Sequence, residues 1–586
     1  MADEPNFVTF EIDGREVRAP EGMVLLDAAR HYGDVEIPYF CYEAKLGKAV
    51  GACRMCMVEV EGMGTDISCS LTVEEGMVVS TTSPAVQRVQ KAVVEFLLVN
   101  HPLDCPVCDK GGECPLQDIS FGWGAGYSRF IEPKRHWKKP LELSPLIAID
   151  RERCILCFRC TRFSQEVAED YQLVFLERGD STYVGTHDGR PYVAPFSGNV
   201  IELCPVGALT SSAYRFRARP WDVEEAGTVC TLCPSQCNVR FTIRDDNKVM
   251  RVLDRQNNEV DDGWLCDKGR FGYQAIHAPE RIAAPMVKEA GALREVSWEQ
   301  AMSEAVAGLE RAGASTAALA GGQATNEEGF LLQRLMREAL GSPHVDSRAG
   351  GPIDPEHARA LARPDVSAKV SDIDAAGTVL VLGTELVDES PILDLRVRKA
   401  KRRGRVRIVV AGSRPGLLDP NADAIVRFAP GAEEAAIAAL VRALGVAEPI
   451  EPPPPEVEPE DQAGPPDRRL LEEPFRAPEG GGSDDDALAD LARRAGTSPE
   501  SVERAAGLLR GSGPVVVLWG ERLSHGRRGR QATAALLALA RALDLPGIEG
   551  AGMIEVPAAT NARGLREVGC LPNLLPGLEE APSPGR

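Results

Sequence analysis

Fifteen of the sixteen cysteines lie between Cys41 and Cys266, and everything after Cys266 holds only Cys570. In order they form Cys41, Cys53, Cys56, Cys69; then Cys105, Cys108, Cys114; then Cys154, Cys157, Cys160, Cys204; then Cys230, Cys233, Cys237, Cys266. Three sets have four members and one has three. The short set is preceded by His101 in the spacing His-x3-Cys-x2-Cys-x5-Cys, and a neutral imidazole is a competent fourth ligand. Sixteen ligands in four groups of four imply four metal centres.

Composition decides between metal and disulfide. No apolar run approaches the roughly 18 to 20 residues that cross a bilayer, and Met1-Ala-Asp-Glu-Pro lacks the basic and apolar regions of a signal peptide. The expected location is therefore the cytoplasm, where thiols stay reduced and clustered cysteines point to metal. A net charge of -21 argues against nucleic acid, whose phosphates most of this surface would repel. Membrane association would have to come through partner subunits.

Residues 1–81 read as a β-rich domain. Phe7-Val-Thr-Phe-Glu-Ile alternates apolar and polar, Asp13-Gly14 supplies a hairpin turn, Leu25 to Arg30 suggests a helix, and Met57-Val-Glu-Val a further strand. The first cysteine set suits a [2Fe-2S] rhomb, with Gly51 and Ala52 letting backbone N–H groups approach the sulfurs, and the arrangement resembles β-grasp, plant-type ferredoxins. Its first gap of eleven residues departs from their spacing, and four sulfurs also suit structural zinc.

Residues 82–140 form the second expected domain. Ser83-Pro84 opens a helix whose Val86, Val89, Val93, Phe96 and Leu97 make an apolar face, and the helix delivers His101, Cys105, Cys108 and Cys114. His101 reads either as a helix-end residue or as a ligand; three cysteines short of a fourth donor favour the ligand. In residues 141–222, Cys154-x2-Cys157-x2-Cys160 binds three corners of a cubane, a ferredoxin pattern. Cys204-Pro205 brings the remote fourth, giving one [4Fe-4S] cluster. In residues 223–280 the last set would pass alone for a zinc ribbon, but after three clusters it reads as another [4Fe-4S].

The segments Leu265-Cys-Asp-Lys-Gly-Arg-Phe271 and Val296-Ser-Trp-Glu-Gln-Ala301 resemble the head of molybdopterin oxidoreductases, where one cubane precedes a large α/β domain. Residues 281–447 fit an α/β domain: a strand at Ala317 to Ala320, a helix capped by Thr325 and Glu328, and a β-α-β unit over Val379 to Leu382, Pro391 to Lys401 and Val406 to Val410. Gly321-Gly322 after a strand is weak grounds for a phosphate site. Residues 448–486 hold ten prolines and thirteen acidic residues, the composition of a disordered linker. Residues 487–586 resume the α/β pattern with a strand at Val515 to Leu518, a helix near Gln531 to Leu543 and a tail. Cys570, without a neighbouring ligand, reads as a free thiol.

Taken together the four sets resemble the large iron-sulfur subunits of respiratory complex I, NADH-quinone oxidoreductase. The match is specific over the first 300 residues and looser beyond, where it rests on the α/β pattern and Asn561-Ala-Arg-Gly. The resemblance implies [2Fe-2S] on Cys41, Cys53, Cys56 and Cys69, and [4Fe-4S] clusters on His101, Cys105, Cys108, Cys114, on Cys154, Cys157, Cys160, Cys204, and on Cys230, Cys233, Cys237, Cys266. The last corresponds to an extra cluster of some bacterial members, remote from the main electron route. It implies an α+β N-terminal part, with the β-grasp ferredoxin-like domain and cluster domains, followed by a molybdopterin-oxidoreductase-like α/β domain without the metal ligand. The role implied is electron relay from a flavin- and NADH-binding partner to other iron-sulfur subunits of the peripheral arm, at the inner face of the bacterial membrane. No molybdopterin is expected.

Three rivals are open to the same motifs. A molybdenum or tungsten formate dehydrogenase α subunit shares the N-terminal module, and Lys268 resembles the lysine between its cluster and pterin. It needs a cysteine or selenocysteine ligand in the α/β domain, and none stands between Cys266 and Cys570. An iron-only hydrogenase needs additional cysteines for its catalytic cluster. A zinc-stapled scaffold runs against the Cys-x2-Cys-x2-Cys run.

Overall fold

The computed structural model describes residues 6–139, 141–404, 406–446, 484–511, 513–525 and 528–582. Apart from its last three residues, the proline- and acid-rich segment expected to be disordered lies outside the described residues. The chain divides into two units. The first comprises Met1–Thr228, Val239–Gln256 and Asp262–His277; the second comprises Val229–Asn238, Asn257–Asp261 and Ala278–Arg586.

The first unit opens with a five-stranded sheet of order β2-β1-β5-β3-β4, where β1 is Phe7–Ile12, β2 Arg15–Pro20, β3 Met57–Val60, β4 Gly64–Ile67 and β5 Val78–Ser80. Asp13 and Gly14 both take positive φ, 49° and 79°, as the tight β1–β2 hairpin requires. Helix α1 (Leu25–Tyr32) buries Leu25, Leu26, Ala28 and Ala29, and Cys56 and Cys69 belong to the core that also holds Phe10, Ile12, Leu25 and Val58. The long connection from α1 to β3 carries Cys41, Cys53 and Cys56.

Helix α2 (Pro84–Val99) begins at Ser83, whose hydroxyl accepts from the Val86 N–H, with Pro84 in the first turn. Its fully buried face shares only Val86 with the expected one, while Val89, Val93 and Leu97 are half-buried. The helix buries Val86, Gln90 and Val94, and Phe96 is 79% exposed. The i, i+4, i+8 row lies against β3, where the Gln90 amide donates to the Met57 carbonyl at 3.5 Å. The buried Gln90 thus finds a backbone acceptor, which a purely apolar reading of the face leaves out. Helix α3 (Pro115–Trp123) follows the second cysteine set.

Residues 141–222 contain a three-stranded sheet in which Ile147–Ile149 lies between Leu209–Ser211 and Leu141–Glu142. A separate hairpin pairs Leu173–Leu176 with Tyr183–Thr186.

The second unit is built on a five-stranded parallel sheet, ordered Ala424–Arg427, Arg407–Gly412, Thr378–Leu382, Val515–Gly520, Gly552–Val556. Alternate residues face opposite ways, so Leu380, Leu382 and Val409 pack with Ile437, Leu509 and Leu536 on one side. Val379, Val381 and Ile408 pack with Leu393 and Val397 on the other. The expected strands at 379–382 and 515–518 and the expected helix from Pro391 are part of this framework, and Thr325 and Glu328 make the capping box. The expected strand at Ala317 to Ala320 is shorter, Ala318–Leu319.

Candidate metal centres

The first cysteine set gathers on the ferredoxin-like sheet. The Cys53 N–H points to the Cys41 sulfur at 3.5 Å, with the Ala52 N–H also directed there and the Met55 N–H directed to Cys53. Gly51 has φ +60°, and a Cβ there would lie 2.5 Å from Ile67 Cδ1. The positive φ favours glycine there, and the atom a Cβ would meet is the movable end of the Ile67 side chain. Cys41 and Cys53 are in hydrogen-bond reach of one another, as are Cys56 and Cys69. The hydrogen bond from Cys41 pulls the Cys53 thiol down to about 6 while Cys41 itself is pushed up; Cys56 is lowered and Cys69 raised in the same way.

His101, Cys105, Cys108 and Cys114 line one cavity, together with Asp104, Gly111, Arg153 and Gly207. Burial, assisted by the charges of Lys134 and Arg153, pushes His101 down to about 4, so the imidazole is neutral near pH 7 and offers a lone pair. Cys108 and Cys114 are buried and Cys105 is exposed. Gly111 and Gly207 are there because nothing larger fits: a Cβ on Gly111 would lie 2.7 Å from the Cys105 carbonyl, and one on Gly207 would lie 2.1 Å from Cys108 Sγ.

Cys154, Cys157, Cys160 and Cys204 line a second cavity, otherwise apolar, with Ile149, Phe158, Val184 and Val206. Leu156 and Phe158 adopt positive φ, 51° and 69°, a strained conformation for these side chains, and the strain falls between the three closely spaced cysteines. Burial pushes Cys154 and Cys157 up to about 12, so they remain neutral thiols until a cation displaces their protons.

Contacts tie the third set to the first and to the second. Arg162, next but one after Cys160, donates to the Leu46 and Lys48 carbonyls at 2.9 and 2.7 Å, on the connection that carries Cys41 and Cys53. On the other side the Cys114 sulfur lies 3.8 Å from the Pro205 carbonyl, immediately after Cys204. Arg153, 3% exposed, bonds Asp104 at 2.9 Å and Asp150 at 2.9 Å and so ties the second set to the third. Sequence reasoning missed Arg153 and Gly207, although each adjoins a motif: Arg153 precedes Cys154 and Gly207 follows Cys204-Pro205-Val206.

The fourth set is divided between the units. Cys230, Cys233 and Cys237 belong to the second, where the Cys230 N–H donates to the Cys237 carbonyl at 2.8 Å; Cys266 belongs to the first, where its sulfur accepts from the Gly269 N–H at 3.3 Å. Cys570 is buried in the second unit with its thiol 3.0 Å from the Gly329 carbonyl, and burial pushes it up to about 11, the behaviour of a core thiol. Gly322 packs so closely on Ala559 that a Cβ would lie 2.3 Å from its Cβ, so this glycine serves packing, while Gly321 has open space around it.

Among the described residues no group of three or more His, Cys, Asp and Glu side chains is disposed to hold one metal ion. Four donors spaced around a cavity are what a polynuclear iron-sulfide core takes, and thiolate with imidazole is its donor chemistry. The residues of the first three sets fit such groups.

Five family models match successive stretches of the chain. Residues 6–84 match the 2Fe-2S iron-sulfur cluster binding domain, 90–129 the NADH-ubiquinone oxidoreductase-G iron-sulfur binding region, and 144–210 the ferredoxin-like domain of NADH-quinone oxidoreductase subunit 3. Residues 224–278 match the molybdopterin oxidoreductase Fe4S4 domain and 281–572 molybdopterin oxidoreductase. The G-type subunit of NADH-quinone oxidoreductase from Streptomyces coelicolor is 36% identical over 99% of this chain and 64% of its own length. Its counterpart from Mycobacterium bovis is 39% identical over 98% and 64%. The NADPH-Fe(3+) oxidoreductase subunit alpha of Geobacter sulfurreducens is 33% identical over 97% and 66%. The chain thus spans about two thirds of the length of these relatives. The successive iron-sulfur domains, in this order and ahead of a molybdopterin-oxidoreductase-like domain, place the chain in the family of large, G-type iron-sulfur subunits of NADH-quinone oxidoreductases.

Proposed function

We propose that the chain is an electron-relay subunit of an NADH-quinone oxidoreductase, taking electrons from a flavin- and NADH-binding partner and passing them to further iron-sulfur subunits. The observations that support this reading are the contacts that tie the third cysteine set to the first and to the second within one unit. When bound, iron-sulfur clusters supply one-electron carriers, [2Fe-2S] on the first set and [4Fe-4S] on the others. Cys41, Cys53, Cys56 and Cys69 hold the first; Cys154, Cys157, Cys160 and Cys204 the next; His101, Cys105, Cys108 and Cys114 the third along the line.

The chain's own residues set the conditions. Ile149, Val184 and Val206 keep water from the middle site, Arg153 and Arg162 hold neighbouring sites at fixed separation, and neutral His101 replaces one anionic ligand. Exposed Cys105 puts one end of the line at the surface of its unit, where a partner can approach. Cys230, Cys233, Cys237 and Cys266 hold a further [4Fe-4S] off this line. No pterin is expected, because the α/β domain offers no cysteine before Cys570. Among the described residues no helix is long and apolar enough to cross a membrane, and we place the chain on the inner membrane face through its partners.

The test is iron, acid-labile sulfide, molybdenum, tungsten and zinc measured on one anaerobic preparation. About 14 irons and as many sulfides without molybdenum or tungsten support the relay. Stoichiometric molybdenum or tungsten points to the formate dehydrogenase type of enzyme, and zinc without sulfide sinks both. The Geobacter relative is named for another donor and acceptor, so NADPH with ferric iron belongs beside NADH with quinone when the assembled complex is assayed.

A further inference from the structure

Three largely buried arginines, Arg153, Arg159 and Arg162, stand where the cysteine sets of the first unit meet, and one of them differs from the others in its partners. Arg153 lies 2.9 Å from both Asp104 and Asp150, and Arg162 makes two bonds to Glu166, at 2.9 and 3.0 Å. Close carboxylates match those two charges. The Arg159 side chain is only 12% exposed, yet among the described residues its ion-pair partner is Glu43, at 3.5 Å. Its Nε is buried and has no hydrogen-bond partner among the described residues. A guanidinium so placed is costly unless an anion lies near.

The other N–H groups of Arg159 reach two backbones. One donates to the carbonyl of Tyr42, the residue after Cys41, and another to the carbonyl of Leu203, the residue before Cys204, at 3.5 Å. The Arg159 backbone N–H is directed to the Cys157 sulfur, and its charge acts on that thiol, as does the charge of Cys53 from the first set. The Tyr39 ring flanks the guanidinium at 6.0 Å. One side chain thus touches the backbone beside a ligand of the first set and the backbone beside a ligand of the third.

We propose that Arg159 is a positioning residue shared by the first and third sites: its guanidinium fixes the two ligand-bearing backbones against each other and holds up the potentials of both clusters at once. The proposal rests on the relay reading, since it takes both sites to hold iron-sulfur clusters. Thiolate-ligated clusters are anionic and gain a further negative charge on reduction, so a nearby cation without a close counter-ion favours the reduced form of each. Arg153 and Arg162 act less in this way, because their carboxylates cancel much of their field.

The test is a redox titration of the full chain, prepared anaerobically and read by electron paramagnetic resonance, with iron and sulfide measured on the same samples. In Arg159→Gln the potentials of the [2Fe-2S] cluster and of the cluster on Cys154, Cys157, Cys160 and Cys204 should both fall, while the His101 cluster keeps its own. Arg159→Lys, which retains the charge, should restore most of the loss. Glu43→Gln, which removes the counter-charge, should raise both potentials. An arginine that only braced the fold would not give shifts of opposite sign. At full iron content, potentials unmoved in Arg159→Gln, or a shift confined to one cluster, would overturn the proposal. If Arg159→Gln loses its clusters, Glu43→Gln decides: a rise in both potentials upholds the proposal, and a rise in one alone or in neither overturns it. A wild-type chain without iron and sulfide would sink the relay reading and this proposal with it, before any variant is compared, so the two failures are told apart.

Discussion

Gly207 stands against Cys108 so closely that a single added carbon would lie 2.1 Å from the sulfur. The two residues are nearly a hundred positions apart and belong to different cysteine sets. Their approach is what places the second site beside the third.

Gly207→Ala is therefore expected to push Cys108 out of position and to cost the second cluster while sparing the others. Iron should fall by about four of about 14, and the remaining cluster signals in electron paramagnetic resonance should persist. Full iron content in the variant would show that Cys108 is free to move and that the contact does not matter.

His101→Cys replaces a neutral donor by an anionic one. The cluster should keep its irons and its potential should drop, on the order of 100 mV, because added negative charge disfavours reduction. A redox titration that finds the potential unmoved would show that His101 is no ligand.

Cys157→Ser attacks the middle of the line. Electron flow from NADH to quinone in the assembled complex should stop, since both neighbours lose their intermediary; turnover at the normal rate would defeat the relay. Cys230→Ser offers the contrast. Its effect should fall on stability more than on flux if the fourth set stands off the line, and a severe flux defect in a well-assembled complex would place it on the route.

Glu521 provides a pH test in the second unit. Burial alone would raise this carboxylate, but His525, the Ala558 N–H, Arg566 and Arg348 outweigh it and hold it at about 2. The Arg348 guanidinium lies 2.8 Å away and both side chains are buried. The folded value lies below the unfolded one of about 4.3, so the stabilisation is present above the unfolded value and is lost as pH falls from about 5 towards 2. Glu521→Gln leaves Arg348 buried without its counter-charge and should cost about 3 kcal/mol at pH 7. Amide exchange in Val515–Gly520 reads this out, and the gap between variant and wild type should narrow on acidification. A gap that stays constant down to about pH 3 would falsify the assignment of the effect to this pair.

The α/β framework was legible because its strands are short apolar runs separated by amphipathic helices. Val379 to Leu382 and Val515 to Leu518 declare themselves by local composition, and Thr325 and Glu328 close a box that depends on nothing distant. The face of α2 was not legible. Periodicity counted Phe96 as core, whereas Gln90 is buried because a carbonyl on β3 accepts its amide, a partner more than thirty residues away.

The same division holds for the metal centres. The spacing grouped the second and third sets as the fold does, each lining one cavity, since two-residue gaps keep donors together locally. The contacts between the sites were not legible there. In the chain the sets run first, second, third; in the fold the third set contacts both others, through Arg162 at Leu46 and Lys48 and through Gly207 at Cys108. Spacing between neighbours along the chain sets what a site can bind, while contacts between distant segments, which no local pattern encodes, set where an electron can go next.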